Sequence, residues 1–158
     1  MTRMTAASVT PRVAFSGDPL RILSARSEGG LPLHEARVVV IGVDARQRGL
    51  RKRLRSLGVP QGLSPLRHLV FVIDVDPTRG AWRAVDAFVG TVQARVEREV
   101  GRRIVVTGIL AAGCPSAELL EARIVHLVTH PLVVPRIVVS WADIRRRDIR
   151  DVALEEWC

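Results

Sequence analysis

Four short β-branched runs, each followed by residues of helical period, constrain this chain more than any other feature. Val38-Val39-Val40-Ile41, Leu69-Val70-Phe71-Val72-Ile73, Ile104-Val105-Val106 and Ile137-Val138-Val139 are apolar at every position. Successive side chains of a strand point to opposite faces, so such runs must be covered on both sides. Between them the period changes. Leu50, Leu54 and Leu57 recur at steps of four and three within residues 45–57, and Trp82, Val85, Val89, Val92 and Val96 do so within residues 81–100. Leu119, Leu120, Ile124 and Leu127 form the apolar side of a third helix, with Ser116 placed as its N-cap. Residues 142–157 read as a terminal helix.

Alternating strands and helices specify a small doubly wound, mostly parallel α/β sheet of four to five strands, Rossmann-like, with helices on both faces and right-handed crossovers. Gly58 sits where a left-handed C-cap is expected, and Gly101 ends the helix over residues 81–100. Residues 1–35 are rich in Ser, Thr, Gly and Pro without sustained period, and read as an irregular or disordered tail before one α/β domain at 36–158. Ligands of parallel sheets gather at the strand carboxyl ends. The residues to inspect are therefore Asp44, Asp74, Asp76, Thr107, Ser140 and Asp143.

Composition excludes several classes. Apolar residues make up 47%, enough for a core, and no apolar run reaches the length of a membrane span. With no continuous apolar core for a secretory signal either, the expected location is the cytoplasm. Aromatics are 4% and tyrosine is absent, which argues against a stacking platform for single strands. The two cysteines, Cys114 and Cys158, make neither a disulfide framework nor a zinc site. Cys114 precedes Pro115 at a helix start, a position that lowers a thiol pKa, but a small buried apolar role suits it better. Of the histidines only His126 and His130 share helical spacing, and Pro131 follows at once.

Asp74-Val75-Asp76-Pro77-Thr78 follows an apolar strand. Two carboxylates at i and i+2 on a strand end point the same way and can hold Mg²⁺, or divide the roles of nucleophile and acid/base. The segment resembles motif I of haloacid-dehalogenase-type phosphatases. That resemblance implies an Mg²⁺-dependent phosphohydrolase, with Thr107 and Asp143 in supporting roles. The helix beginning by Ala81 and the single lysine, Lys52, placed upstream, depart from the family pattern. A plain reading of these acids is that they cap the next helix and bracket a turn.

Arg37 to Asp44, an apolar strand ending in Gly-Val-Asp, and Gly113-Cys114-Pro115-Ser116-Ala117-Glu118-Leu119-Leu120-Glu121-Ala122 together resemble the universal stress protein family over about residues 37–145. The resemblance implies a regulatory, non-catalytic module, frequent homodimerisation, and in some members binding of ATP or another adenine nucleotide. It would place Asp44 near adenine and ribose and Val72 against the base. No glycine follows Gly113, so the glycine-rich phosphate loop of nucleotide-binding members is absent, and Arg145 and Arg146 are left to hold phosphates by side chain.

Charge opens a third reading. The chain carries 24 Lys+Arg against 16 Asp+Glu, a net charge of +8. Arg46, Arg48, Arg51, Lys52, Arg53 and Arg55 are closely spaced with no acid between them, and such a face attracts nucleic acid or other polyanions. No recognised nucleic-acid-binding motif accompanies it. The leading expectation is a non-catalytic module that binds a nucleotide or a protein partner. The phosphohydrolase and the basic nucleic-acid-binding module are its alternatives.

Overall fold

The structure is a computed structural model, and it describes residues 13–20, 31–46, 49–59, 61–129, 135–147 and 149–156. The elements run β1 (Val13–Gly17), a 3-10 turn (Leu33–Glu35), β2 (Val38–Asp44), α1 (Leu50–Ser56), β3 (His68–Asp74), α2 (Arg79–Val100), β4 (Val105–Leu110), α3 (Ala117–Thr129), β5 (Arg136–Ser140), α4 (Trp141–Ile144) and α5 (Ile149–Glu156). The five strands form one sheet, parallel throughout, in the order β1-β2-β3-β4-β5. Helices cover both faces, as the doubly apolar runs require.

Each strand splits its side chains between two cores. Val39, Ile41, Leu69, Phe71, Ile73 and Leu110 face α1 and α2, meeting Leu54, Val85, Val89, Val92 and Val96. Val38, Val40, Val70, Val72, Ile109 and Val139 face α3, α4 and α5, meeting Leu120, Ile124, Leu127, Trp141, Ile144 and Ile149. Each buried valine of α2 contributes about 1.5–3 kcal/mol. The helix can come so close because Gly108 lies beneath it. A Cβ there would sit 2.9 Å from Val85 Cγ1 and 3.2 Å from Val89 Cγ2.

The helix ends correct one local signal and keep another. The acids Asp74 and Asp76 do not cap α2 as their plain reading expects; the cap is Thr78, whose hydroxyl accepts from the Ala81 N–H at 3.1 Å, and Gly101 ends α2 with φ of 75°. Gly58 is not the left-handed cap expected of it. α1 already stops at Ser56, and Leu57 leaves the helix extended, with φ of −74° and ψ of 115°. The expected terminal helix is two helices. Ile144 and Ile149 are five residues apart, which one continuous helix would turn to different sides. The break between α4 and α5 lets both be buried, at 0% and 1% exposure.

The segment 1–35 is not an irregular tail throughout. Val13–Gly17 is the parallel edge strand β1, paired with β2 from Val13↔Val38 to Gly17↔Gly42. Residues 1–12 and 21–30 of that expected tail lie outside the described residues.

The crossovers depart from the expectation of a single hand. Strand order advances without reversal, yet α1 and α2 lie on one face and α3 on the other. Crossovers that step the same way over opposite faces have opposite hands, so those through α2 and α3 cannot both be right-handed. At two places, between β1 and β2 and between β3 and β4, neighbouring strands send the chain to opposite faces. After β3 the chain goes to the α2 side, and after β4 to the α3 side. After β1, Leu20 packs on the α3 side, whereas after β2, Ala45 and Leu54 pack on the α2 side. Such divergences at carboxyl ends are where α/β sheets open a crevice.

Candidate functional site

The carboxyl-end rim carries Asp18, Asp44 and Asp74 just past or at the ends of β1, β2 and β3. Gly17 turns the chain over β2 with φ of 85°, and a Cβ on it would collide with the Gly42 carbonyl. The Asp18 N–H then donates to that carbonyl at 2.8 Å. This brings the Asp18 carboxylate back over β2, where Oδ2 accepts from the Asp44 N–H at 2.8 Å. Arg53, one turn into α1, closes the arrangement with Nε to Oδ2 at 2.9 Å and Nη2 to Oδ1 at 2.7 Å. The Asp18 carboxylate, through this hydrogen bonding, holds the Arg53 guanidinium above its ordinary pKa. The crevice between β1 and β2 is therefore filled by the protein's own ion pair.

Asp44 and Asp74 stand side by side in register. Arg46 spans them, with Nε 3.5 Å from Asp44 Oδ1 and 3.0 Å from Asp74 Oδ2. At the next divergence the Ala111 N–H donates to the Ile73 carbonyl at 2.8 Å and stitches β3 to β4.

The phosphohydrolase set is not assembled in one place. β3 ends at Asp74, so Asp76 lies beyond the strand on an exposed turn, its carbonyl accepting from the Thr78 N–H. The i, i+2 geometry needs a strand through both acids, and the strand stops short. Thr107 does not follow a strand. β4 runs on to Leu110, which leaves Thr107 in mid-strand, 0% exposed, its hydroxyl without a partner among the described residues. Asp143 serves Ser140 two strands away, accepting from its N–H at 3.0 Å and its hydroxyl at 2.7 Å in a capping box. Among the described residues no three acids, histidines or cysteines gather closely enough to hold a metal ion.

The nucleotide set is dispersed as well. Val72 is fully buried under α3, with no surface to offer a base. Asp44 stands three strands from β5, roughly 14 Å across the sheet at the usual strand spacing. Arg145 and Arg146 follow α4, beyond β5. Their neighbour Arg147 is held by Glu155, at 2.7 and 2.8 Å.

The basic run divides by side-chain direction. Arg46 and Arg53 serve the rim carboxylates, and Arg48 lies outside the described residues. Arg51 and Arg55 turn instead toward a groove of about 550 Å³ between α1 and α2. Lys52 lines an adjoining hollow of about 380 Å³, which shares Arg51 and Ala84 with the groove and reaches Val75 and Thr78 at the end of β3. The groove exists because the helices differ in length. α1 has 7 residues and α2 has 22, so α2 overhangs its neighbour. Leu54, Leu57, Val59, Ala84, Phe88 and Val92 make the floor, and Phe88 is fixed edge-on against Phe71 with centroids 4.9 Å apart. Arg51, Arg55, Arg83 and Arg95 stand around it. Arg83 and Arg95 read in the sequence only as polar residues on the other faces of the helix, although the steps of four from Arg83 through Ala87 and Thr91 to Arg95 trace one helix flank.

Burial raises the Cys114 thiol above its ordinary pKa, against the lowering expected of a helix start, and Sγ sits 3.4 Å from the Ser116 carbonyl. His130 lies outside the described residues. No helix among the described residues is long and apolar enough to cross a membrane. No family model, curated protein or solved structure matches the chain.

Proposed function

We propose that this chain is a non-catalytic α/β binding module that acts by association, through the arginine-edged face between α1 and α2. One observation carries the reading. The carboxylates best placed for chemistry, Asp18, Asp44 and Asp74, are each engaged by Arg53 or Arg46 within the molecule. A general acid, base or nucleophile needs a free lone pair or proton facing its substrate. These groups are turned to one another, and the Asp18–Arg53 pair occupies the divergence between β1 and β2. The open surface lies beside them, on the helices.

The reading speaks for the partner-binding side of the universal stress resemblance over the nucleotide side, because Asp44, Val72 and Arg145 do not converge. The test is an assay of phosphate-ester turnover with and without Mg²⁺, beside thermal melts with an adenine nucleotide. The expected result is no turnover and no shift in melting temperature. Turnover that requires Mg²⁺ and is lost in Asp74→Asn would overturn the proposal. So would a nucleotide shift abolished by Asp44→Ala.

A further inference from the structure

We infer that the groove between α1 and α2 receives an acidic amphipathic helix of a partner protein, an inference that rests on the association reading above. The groove runs along α2 from Arg83 to Arg95, which at the rise of an α-helix is about 18 Å, or three turns. Its floor is aliphatic and aromatic. Its lining includes four arginines and no acid. A third helix laid there takes the place that a longer α1 would have filled, and completes the helical layer on this face of the sheet. Recognition would follow the helix-in-groove mode, with apolar side chains at i, i+3 or i+4 and i+7 entering the floor and flanking carboxylates meeting the arginines.

The arginines are available for that task. Among the described residues the side chains of Arg51, Arg55 and Arg83 take part in no hydrogen bond or ion pair, while that of Arg95 has only the exposed Glu99, 3.5 Å away, as a partner. Arg53, on the same short helix, is by contrast fully engaged. Charge complementarity selects the occupant. The chain's own segments outside the described residues on the N-terminal side, 1–12 and 21–30, carry Arg3, Arg12, Arg21 and Arg26 against the single acid Glu28. They have the wrong sign to lie between these arginines. A nucleic acid would find phosphate partners at the edge but no use for a floor of leucine, valine and alanine. Only a ligand that is both anionic and apolar along one face uses the whole surface, and the length of the groove suits three turns of helix.

The experiment uses the full chain and fluorescence anisotropy with three labelled 18-residue peptides. The first is an amphipathic helix of Leu on one face and Glu with Ala elsewhere. The second has the same composition with the apolar period scrambled. The third replaces every Glu by Lys. The first should bind at least tenfold more tightly than either control. Its affinity should weaken at least tenfold in Arg51→Glu/Arg83→Glu, both exposed positions, and also in Ala87→Glu, which places a like charge on the path of the peptide. Equal binding of the scrambled acidic peptide would reduce the face to a general polyanion surface and overturn the inference while leaving the association reading intact. Unchanged affinity in the double variant would overturn it too. Mg²⁺-dependent turnover lost in Asp74→Asn would sink the association reading itself, so the two failures are separable.

Discussion

Asp18 and Arg53 hold each other through two parallel hydrogen bonds, of 2.9 and 2.7 Å, across 35 residues of chain. The pair joins the edge strand β1 to the helix after β2, and the same carboxylate takes the Asp44 N–H. Its carboxylate and guanidinium are 28% and 17% exposed, so solvent screens the contact only in part. Hydrogen bonds to charged groups in such settings are worth about 1.5–3 kcal/mol. Asp18→Ala should lower the unfolding free energy by about that amount, and Arg53→Ala by a similar amount, read as a shift in the urea midpoint. The double variant should cost less than the sum of the singles, because they share one interaction. Strict additivity would mean that the pair does not bind β1 in solution.

The neighbouring bridge predicts the opposite scale. Arg46 is 62% exposed, although it reaches both Asp44 and Asp74. Exposed pairs contribute about 0–1 kcal/mol, less in salt. Arg46→Ala should therefore change the urea midpoint little, and raising the salt to 0.5 M should erase what difference there is.

His68 opens β3 and is buried, its Nδ1 without a partner among the described residues. Burial pushes its pKa below the ordinary 6.5, because the charged form is poorly solvated. The folded protein then binds this proton less readily than the unfolded chain. Stability should be full above about pH 6.5 and fall as the pH drops below it, where the unfolded chain takes up the proton first. Urea titrations between pH 7.5 and 5.5 should show this loss, and His68→Leu should flatten it. A wild-type midpoint independent of pH across that window would contradict the prediction.

Thr107 packs an unpaired hydroxyl in the sheet interior. Thr107→Val keeps the shape and removes a desolvated polar group that costs about 1–3 kcal/mol. The variant should be as stable as the wild type or more so, and should melt higher. A clear loss of stability would show that the hydroxyl has a partner after all.

Gly108 gives the reverse case. Gly108→Ala places a methyl group against Val85 and Val89 and should destabilise by about 1–3 kcal/mol through overpacking. Adding Val85→Ala opens space at the closest contact, so the double variant should lose less than the two single losses combined. Thermal melts of the three variants read the coupling directly.

The parts of the fold written in local pattern were legible in the sequence. β3 and α2 announce themselves by an apolar run and a long regular stripe, with Gly101 at the end of the helix. β1 was not, because Val13-Ala14-Phe15-Ser16-Gly17 is short, lies among Thr, Pro and Gly, and is recognisable only beside β2. The rim acids Asp44 and Asp74 could be located from their strands. Their engagement by Arg46, and the whole Asp18–Arg53 pair, depends on side chains meeting in space. The basic run looked like one face because linear spacing was read without the wheel of the helix. Three-dimensional direction divides it between rim and groove. The groove itself arises from the unequal lengths of α1 and α2, a relation between elements that no single stretch of sequence contains.

The unreversed strand order bears on how the molecule forms. Val13 pairs with Val38, Val38 with His68, His68 with Val105, and Val106 with Arg136, so every strand docks on the one synthesised immediately before it. No strand has to wait, with its edge bare, for a distant segment to be inserted beside it. Loop-closure entropy is met in similar small instalments along the chain. Such a sheet can grow outward from its first member during translation, so that beyond the outer side of β1 only its newest margin is exposed to aggregation at each moment.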